Sequence, residues 1–155
     1  MQKVLGDDVL RKAIQGEMQA MKFYSEVSKI IINKKSKNLM QDLANEEEKH
    51  KNILQKRYTI LYKKEFEEIP GFVFDEKLDV KKLGLNTQSD ALQILSSAIE
   101  AETHAIEFYN ELLNQTESNE DIELLRSLIK FEEGHKNKLQ EEYKSINKNY
   151  TWQMP

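Results

Sequence analysis

The chain repeats itself at a constant offset of 85 residues, and the repeat carries charged as well as apolar positions. Residues 13–24 align without gaps with residues 98–109, and six of the twelve positions are identical. Residues 47–58 align with residues 132–143, and eight of those twelve are identical. Glu17 lies 30 residues before Glu47 and Glu102 lies 30 before Glu132, so each half keeps its internal spacing. A duplicated pair of segments at fixed separation constrains the fold to two equivalent supersecondary units packed on one another.

Each unit reads as a helical hairpin. Leu10, Ile14, Glu17, Met21, Tyr24, Val27 and Ile31 recur at three- and four-residue steps, the stripe of an amphipathic helix. That helix is expected to start after Gly6, with Asp7 or Asp8 as N-cap. Asn33-Lys34-Lys35-Ser36 reads as the turn, and a second helix follows with Leu39, Leu43, Glu47, His50, Leu54, Arg57 and Leu61 on one face. In the second unit, Thr87 or Ser89 is expected to cap a helix whose stripe is Ile94 or Leu95, Ala98, Glu102, Ala105 with Ile106, and Tyr109. After a turn over residues 115–119, the last helix turns Leu125, Leu128, Glu132, His135, Leu139 and Tyr143 inward. Five Gly and two Pro in 155 residues suit long helices. The expectation is an all-α chain in one domain over residues 1–155, a four-helix bundle of hairpins at about 7–62 and 89–147.

Residues 63–88 break the period and contain Ile69-Pro70-Gly71-Phe72-Val73-Phe74, a turn signal followed by apolar residues. The segment is longer than a tight turn needs. It reaches the far end of a bundle about 40 Å long, so it reads as a crossover making the second and third helices parallel. Phe72 and Phe74 are expected on the bundle's flank. The tail, residues 147–155, carries Tyr150 and Trp152 and either frays or packs on a partner subunit of a homo-oligomer.

The repeat also selects the chemistry. Glu17 pairs with Glu102, Glu47 with Glu132, and His50 with His135. Each half contributes one Glu from its first helix and Glu-x-x-His from its second, the ligand pattern of dinuclear carboxylate sites in four-helix bundles. A lone Glu-x-x-His on a charged helix is usually a solvated face, and most runs such as Glu46-Glu47-Glu48 lie at the surface. The duplication selects among them. Glu46 corresponds to Phe131 and is set aside from the shared set. Glu48 and Glu133 match but point off the stripe. His104 lies two residues past Glu102 and is read as surface. Tyr24 and Tyr109 fall two turns beyond Glu17 and Glu102, either as core aromatics or as phenols donating to a metal-bound carboxylate of a facing helix. Gly16 and Ala101 precede the two glutamates and would allow close helix approach. Carboxylate and imidazole donors suit iron, manganese or zinc. Four glutamates balance two divalent ions, so a buried site would be neutral.

Composition excludes several alternatives. A net charge of −4 with interspersed Lys and Glu disfavours nucleic acid as a partner. The absence of cysteine excludes disulfides, zinc-thiolate sites, iron–sulfur clusters and a four-cysteine iron centre within these residues. No segment is apolar and long enough to span a membrane, and the first residues form no apolar signal region.

At Ala-Ile-x-x-Glu-x-x-Ala-x-x-Phe-Tyr, present twice, together with both Glu-x-x-His motifs, the chain resembles the ferritin-like superfamily and, within it, the rubrerythrin-like diiron proteins. The resemblance implies two metal ions, iron foremost, held by Glu17, Glu47, His50, Glu102, Glu132 and His135. It implies a cytoplasmic, peroxidase-like oxidoreductase acting on peroxide or oxygen with an external electron-donor protein. The alternatives are a ferroxidase or iron-handling protein and a non-catalytic metal-stabilised bundle. Three departures stand out. Rubrerythrins usually carry a further carboxylate one turn after the third-helix Glu, where this chain has Ala105. Full-length rubrerythrins also carry a rubredoxin domain, whose four cysteines are not found among these residues. Glu48 stands where bacterioferritins place a haem-binding Met, so no haem is expected.

Overall fold

The computed structural model describes residues 2–153, with side chains described through residue 148. The four helices are α1 (Asp7–Ile30), α2 (Lys34–Tyr62), α3 (Ala91–Gln115) and α4 (Asn119–Gln153). They form a ferritin-like four-helix bundle of two hairpins, α1–α2 and α3–α4. The connectors, residues 31–33 and 116–118, occupy the same place in the repeat. Even the capping is duplicated. Asn33 accepts from Ser36 N at 3.0 Å, and Ser118 at the equivalent position accepts from Asp121 N at 3.4 Å.

The helices differ from the sequence expectation mainly at their ends. Gly6, not an aspartate, holds the N-cap position of α1. Asp7 and Asp8 lie in the first turn, where their charge complements the helix dipole, and the Asp7 carboxylate accepts from Tyr58 OH at 2.9 Å. Asp90, not Thr87 or Ser89, caps α3 by accepting from Leu92 N at 3.0 Å. Ser89 instead accepts from Asn86 N within the preceding turn, which removes it as a cap. Lys63 ends α2 in the left-handed region at φ 56°, its N–H returning to Thr59 O. The last helix runs on to Gln153, past the expected end near residue 147. The expected packing or fraying of Tyr150 and Trp152 lies outside the described side chains.

Two apolar clusters fill the bundle. One joins Phe23 and Val27 of α1 and Ile31 just beyond it to Met40 and Leu43 of α2, Ile94, Leu95 and Ala98 of α3, and Leu139 of α4. The other joins Leu10 and Ile14 to Leu54 and Tyr58, Tyr109 and Leu112, and Leu125 and Leu128. The residue order in the clusters gives the topology: α2 and α3 both run from the first cluster to the second and are parallel. The crossover therefore returns along the length of the bundle. Its path is laced to one face of α1. Arg11 donates to Glu67 O and Glu68 O, Gln15 accepts from Ile69 N, and Gln19 accepts from Asp75 N and donates to the carbonyls of Asp75 and Leu78. These three residues recur every four positions, so their side chains line up along one edge of α1. The edge explains why the buried arc of α1 is wider than one stripe. Phe23 is 2% exposed, while Met21 is only half-buried. Among the described residues no helix is long and apolar enough to cross a membrane.

Candidate metal centre

Between the two apolar clusters lies a layer of acid and imidazole. Glu17, Glu47, His50, Glu102, Glu132 and His135 come together there, each 4% exposed or less. The glutamates of α1 and α3 sit in mid-helix, while α2 and α4 each supply a Glu and a His one turn apart on one face. Glu48 and Glu133 are exposed.

Both histidines turn Nδ1 to the carboxylates. Nδ1 of His50 lies 3.2 Å from Glu132 Oε1, 3.7 Å from Glu17 Oε2 and 3.8 Å from Glu47 Oε2. Nδ1 of His135 lies 2.8 Å from Glu47 Oε1, 3.2 Å from Glu132 Oε2 and 3.7 Å from Glu102 Oε1. Glu47 and Glu132 thus offer one oxygen to each histidine, whereas Glu17 and Glu102 each serve one. The six residues resolve into two overlapping groups, Glu17–Glu47–His50–Glu132 and Glu47–Glu102–Glu132–His135, with potential ligand atoms within 4.8 Å of one another in each. The imidazole rings stack at 5.7 Å between centroids.

Each tyrosine crosses from its own helix to the glutamate of the other hairpin. Tyr24 on α1 donates to Glu102 Oε1 and Tyr109 on α3 donates to Glu17 Oε1, both at 2.5 Å. The histidines differ in what lies behind them. Glu46, set aside because the repeat places Phe131 opposite it, touches Nε2 of His135. Phe131 lies against the His50 ring at 5.1 Å. Sequence reasoning missed Glu46 because the repeat was its filter, and a residue present in one copy only cannot pass that filter. Gly16 also serves a different neighbour from the one expected. It receives the ring of Phe74 from the crossover, not another helix.

The electrostatics are those of crowded carboxylates out of water. Burial, then the Glu17 charge, pushes the Glu47 carboxyl up to about 8. Burial and the Glu132 charge also raise Glu17 and Glu102. For Glu132, burial and the Glu47 charge act upward, but the close approach of Glu102, His135 and His50 outweighs them, and its pKa falls. Burial acts to lower His50, yet its bonds to Glu132, Glu17 and Glu47 push it up to about 12, and His135 moves the same way. Protons and imidazolium charge thus offset the carboxylates.

The donor set fits cations. Glu17 Oε2, Glu47 Oε1, Glu102 Oε2 and His135 Nδ1 are buried with no hydrogen-bond partner, and a buried polar atom left so costs about 1–3 kcal/mol. Glu47 Oε1 and His135 Nδ1 face each other at 2.8 Å without hydrogen-bond geometry. All four atoms belong to the two groups described above, and oxygen and nitrogen donors in that number suit divalent first-row metals.

The backbone is shared with several known structures. A hypothetical protein from Pyrococcus furiosus matches with a TM-score of 0.74 at 27% identity, over 96% of this chain and 92% of its own. A candidate ferritin-like diiron-carboxylate protein from Thermotoga maritima matches at 0.75 and 24% identity, over 93% and 97%. A dodecameric thioferritin, the bacterioferritin-related protein of Bacteroides fragilis, shares the fold at 0.73 and 19% identity, over 96% and 90%. No curated protein matches the sequence. The family model described as Rubrerythrin matches residues 8–143, most of the chain, and the protein belongs to the rubrerythrin family.

Proposed function

We propose that the chain holds two metal ions, iron foremost, and reduces peroxide or oxygen with electrons from a separate donor protein in the cytoplasm. The observation that carries this reading is the division of labour among the carboxylates. Glu47 and Glu132 each present one oxygen to either histidine, the arrangement of two bridging ligands, while Glu17 with His50 and Glu102 with His135 form the two ends. Membership of the rubrerythrin family and the overall fold of ferritin-like proteins support it. When bound, a metal pair supplies two electrons at once to an O–O bond, which matches the demand of peroxide.

The chain's own residues hold and orient. Glu47 and Glu132, common to both groups, would be shared between the two ions. Tyr24 and Tyr109 fix the outer carboxylates by donating to one oxygen of each and leaving the other for a cation. The apolar clusters on either side close the layer off from the two ends of the bundle.

Self-association belongs to the same proposal. Ile53 and Ile60 are exposed two turns apart on α2, and the Bacteroides thioferritin of the same fold is a dodecamer. Sizing in solution tests that part.

Anaerobic iron(II) loading followed by rapid mixing with peroxide or oxygen tests the reaction. Faster oxidation by peroxide, with the iron retained, is expected. A preference for oxygen, with iron released or mineralised, would move the reading to ferroxidase. Iron bound without oxidation by either would leave a metal-stabilised bundle.

A further inference from the structure

We propose that Phe74 is the residue that decides which molecules reach the carboxylate layer, closing it to anything larger than a molecule of a few heavy atoms. The proposal rests on the metal-binding reading above. It starts from two spaces on either side of one ring. Inside, lined in part by Glu17, Glu47, Glu102 and Glu132, lies a cavity of about 20 Å³. A water needs about 10–15 Å³ by that measure, so the cavity admits a molecule on the scale of dioxygen or hydrogen peroxide. Outside, between α1 and the crossover, lies an open groove of about 530 Å³, large enough for an organic molecule. Phe74 and Leu78 line both spaces, and Leu78 is part of the buried core. The half-buried Phe74 ring is therefore the wall between them that a side-chain movement can open.

The ring is seated, not merely nearby. A Cβ built on Gly16 would fall 2.9 Å from it, so the ring rests on the backbone of α1. From α3, His104 stacks on it at 4.8 Å and Phe108 meets it edge-on at 5.0 Å. The next residue is fastened to both helices. Asp75 takes His104 Nδ1 at 3.1 Å on its carboxylate, and its backbone is bracketed by the Gln19 amide. Phe74 therefore spans the seam between α1 and α3 beside the carboxylates. On the cavity side Gly16, Ala101 and Ala105 leave room beside the ring, while Tyr24 and Tyr109, the other large side chains of these two helices on the cavity, are held by their hydrogen bonds to Glu102 and Glu17. The centre is thereby restricted to dioxygen or hydrogen peroxide, and organic hydroperoxides are excluded.

The test uses cobalt(II)-loaded protein and its visible spectrum, which reports ligand binding without turnover. Azide is the slender probe and benzoate the bulky one. In the wild type, azide changes the spectrum and benzoate does not. In Phe74→Ala, benzoate binds about tenfold or more tightly than to the wild type, because the fraction of open molecules no longer limits its apparent affinity. Azide binding changes little. Gly16→Ala gives the same direction by displacing the ring, and Ala in place of Gly favours the helix, so this variant keeps the fold if Phe74→Ala does not. Benzoate binding equally well to wild type and variants would overturn the gate alone, as would variants that bind cobalt and still refuse benzoate. A wild type that binds no cobalt would remove the metal reading and the gate with it.

Discussion

Glu46 and Phe131 hold the same place in the repeat, and each backs the histidine of the other hairpin: Glu46 touches Nε2 of His135, and Phe131 lies 5.1 Å from the ring of His50. A carboxylate behind an imidazole keeps the proton on Nε2, leaves Nδ1 free for the site and makes it a stronger donor. A phenyl ring does neither. The two halves of the centre are therefore unequal despite the duplication, and metal should bind in two separable steps. Glu46→Ala should weaken one step by about 10–100-fold and leave the other nearly unchanged. Anaerobic calorimetric titration with manganese(II) measures both steps, and equal weakening of the two would contradict the assignment.

The tyrosines make a second, more symmetric prediction. Tyr24→Phe and Tyr109→Phe each strip a donor from a buried carboxylate oxygen while keeping the ring. Each should cost the metal-free protein about 1–3 kcal/mol, the penalty for one unsatisfied buried group, and the two costs should be similar. Both bonds link α1 to α3, so the loss should appear in global denaturant unfolding and not only in local fraying. A negligible effect would mean that the phenols are packing groups.

Much of this was legible in the sequence, and the rest failed for identifiable reasons. The offset that pairs Glu17 with Glu102 also pairs the connectors at 31–33 and 116–118 and the caps Asn33 and Ser118, because a duplicated hairpin duplicates its turn. Nothing comparable guides the crossover, which has no counterpart in the repeat. Phe74 was expected somewhere on the flank, but only the structure shows it seated on Gly16. His104, read as a surface residue, is partly exposed but clasps Asp75 and stacks on Phe74. One signal was available: Arg11, Gln15 and Gln19 repeat at four-residue spacing along one edge of an amphipathic helix, and they fasten the crossover. Capping of α3 was ambiguous because Thr87, Ser89 and Asp90 are all good caps, and the choice depends on which backbone N–H each one reaches.

Metal-free protein should lose stability as pH rises through neutrality. Glu17, Glu47 and Glu102 all have raised pKa values in the folded chain, and that of Glu47 reaches about 8 from an ordinary 4.5. Their contribution is full below the unfolded value and is lost as pH climbs through the folded one. His50, raised from 6.5 to about 12, loses its share in the same direction. Glu132 is lowered, so its contribution disappears only on acidification below the ordinary carboxylate range. Chelator-treated protein should therefore melt at lower temperature at about pH 8 than at about pH 5. Saturating metal should raise the midpoint, most strongly at the higher pH where it meets fewer protons. A metal-free midpoint that climbs over this range would show that the carboxylates are not buried together.

The proposed bridging roles of Glu47 and Glu132 give the sharpest discrimination among neighbouring glutamates. Glu47 and Glu48 are adjacent in sequence, yet one is 2% exposed between both histidines and the other is exposed to solvent. The same holds for Glu132 and Glu133. Removing a carboxylate shared by both positions should abolish paired occupancy, because each ion loses a ligand and the fixed separation is lost with it. Glu47→Ala and Glu132→Ala should therefore reduce metal content from about two ions per chain to one or fewer, and to a similar extent. Glu17→Ala and Glu102→Ala each remove an end ligand and should weaken one position more than the other. Glu48→Ala and Glu133→Ala should bind as the wild type does. Metal analysis after anaerobic reconstitution reads all six variants on one scale. If Glu48→Ala lost more metal than Glu47→Ala, α2 would have to be turned by about 100° about its axis, and the paired-site geometry would fall with it.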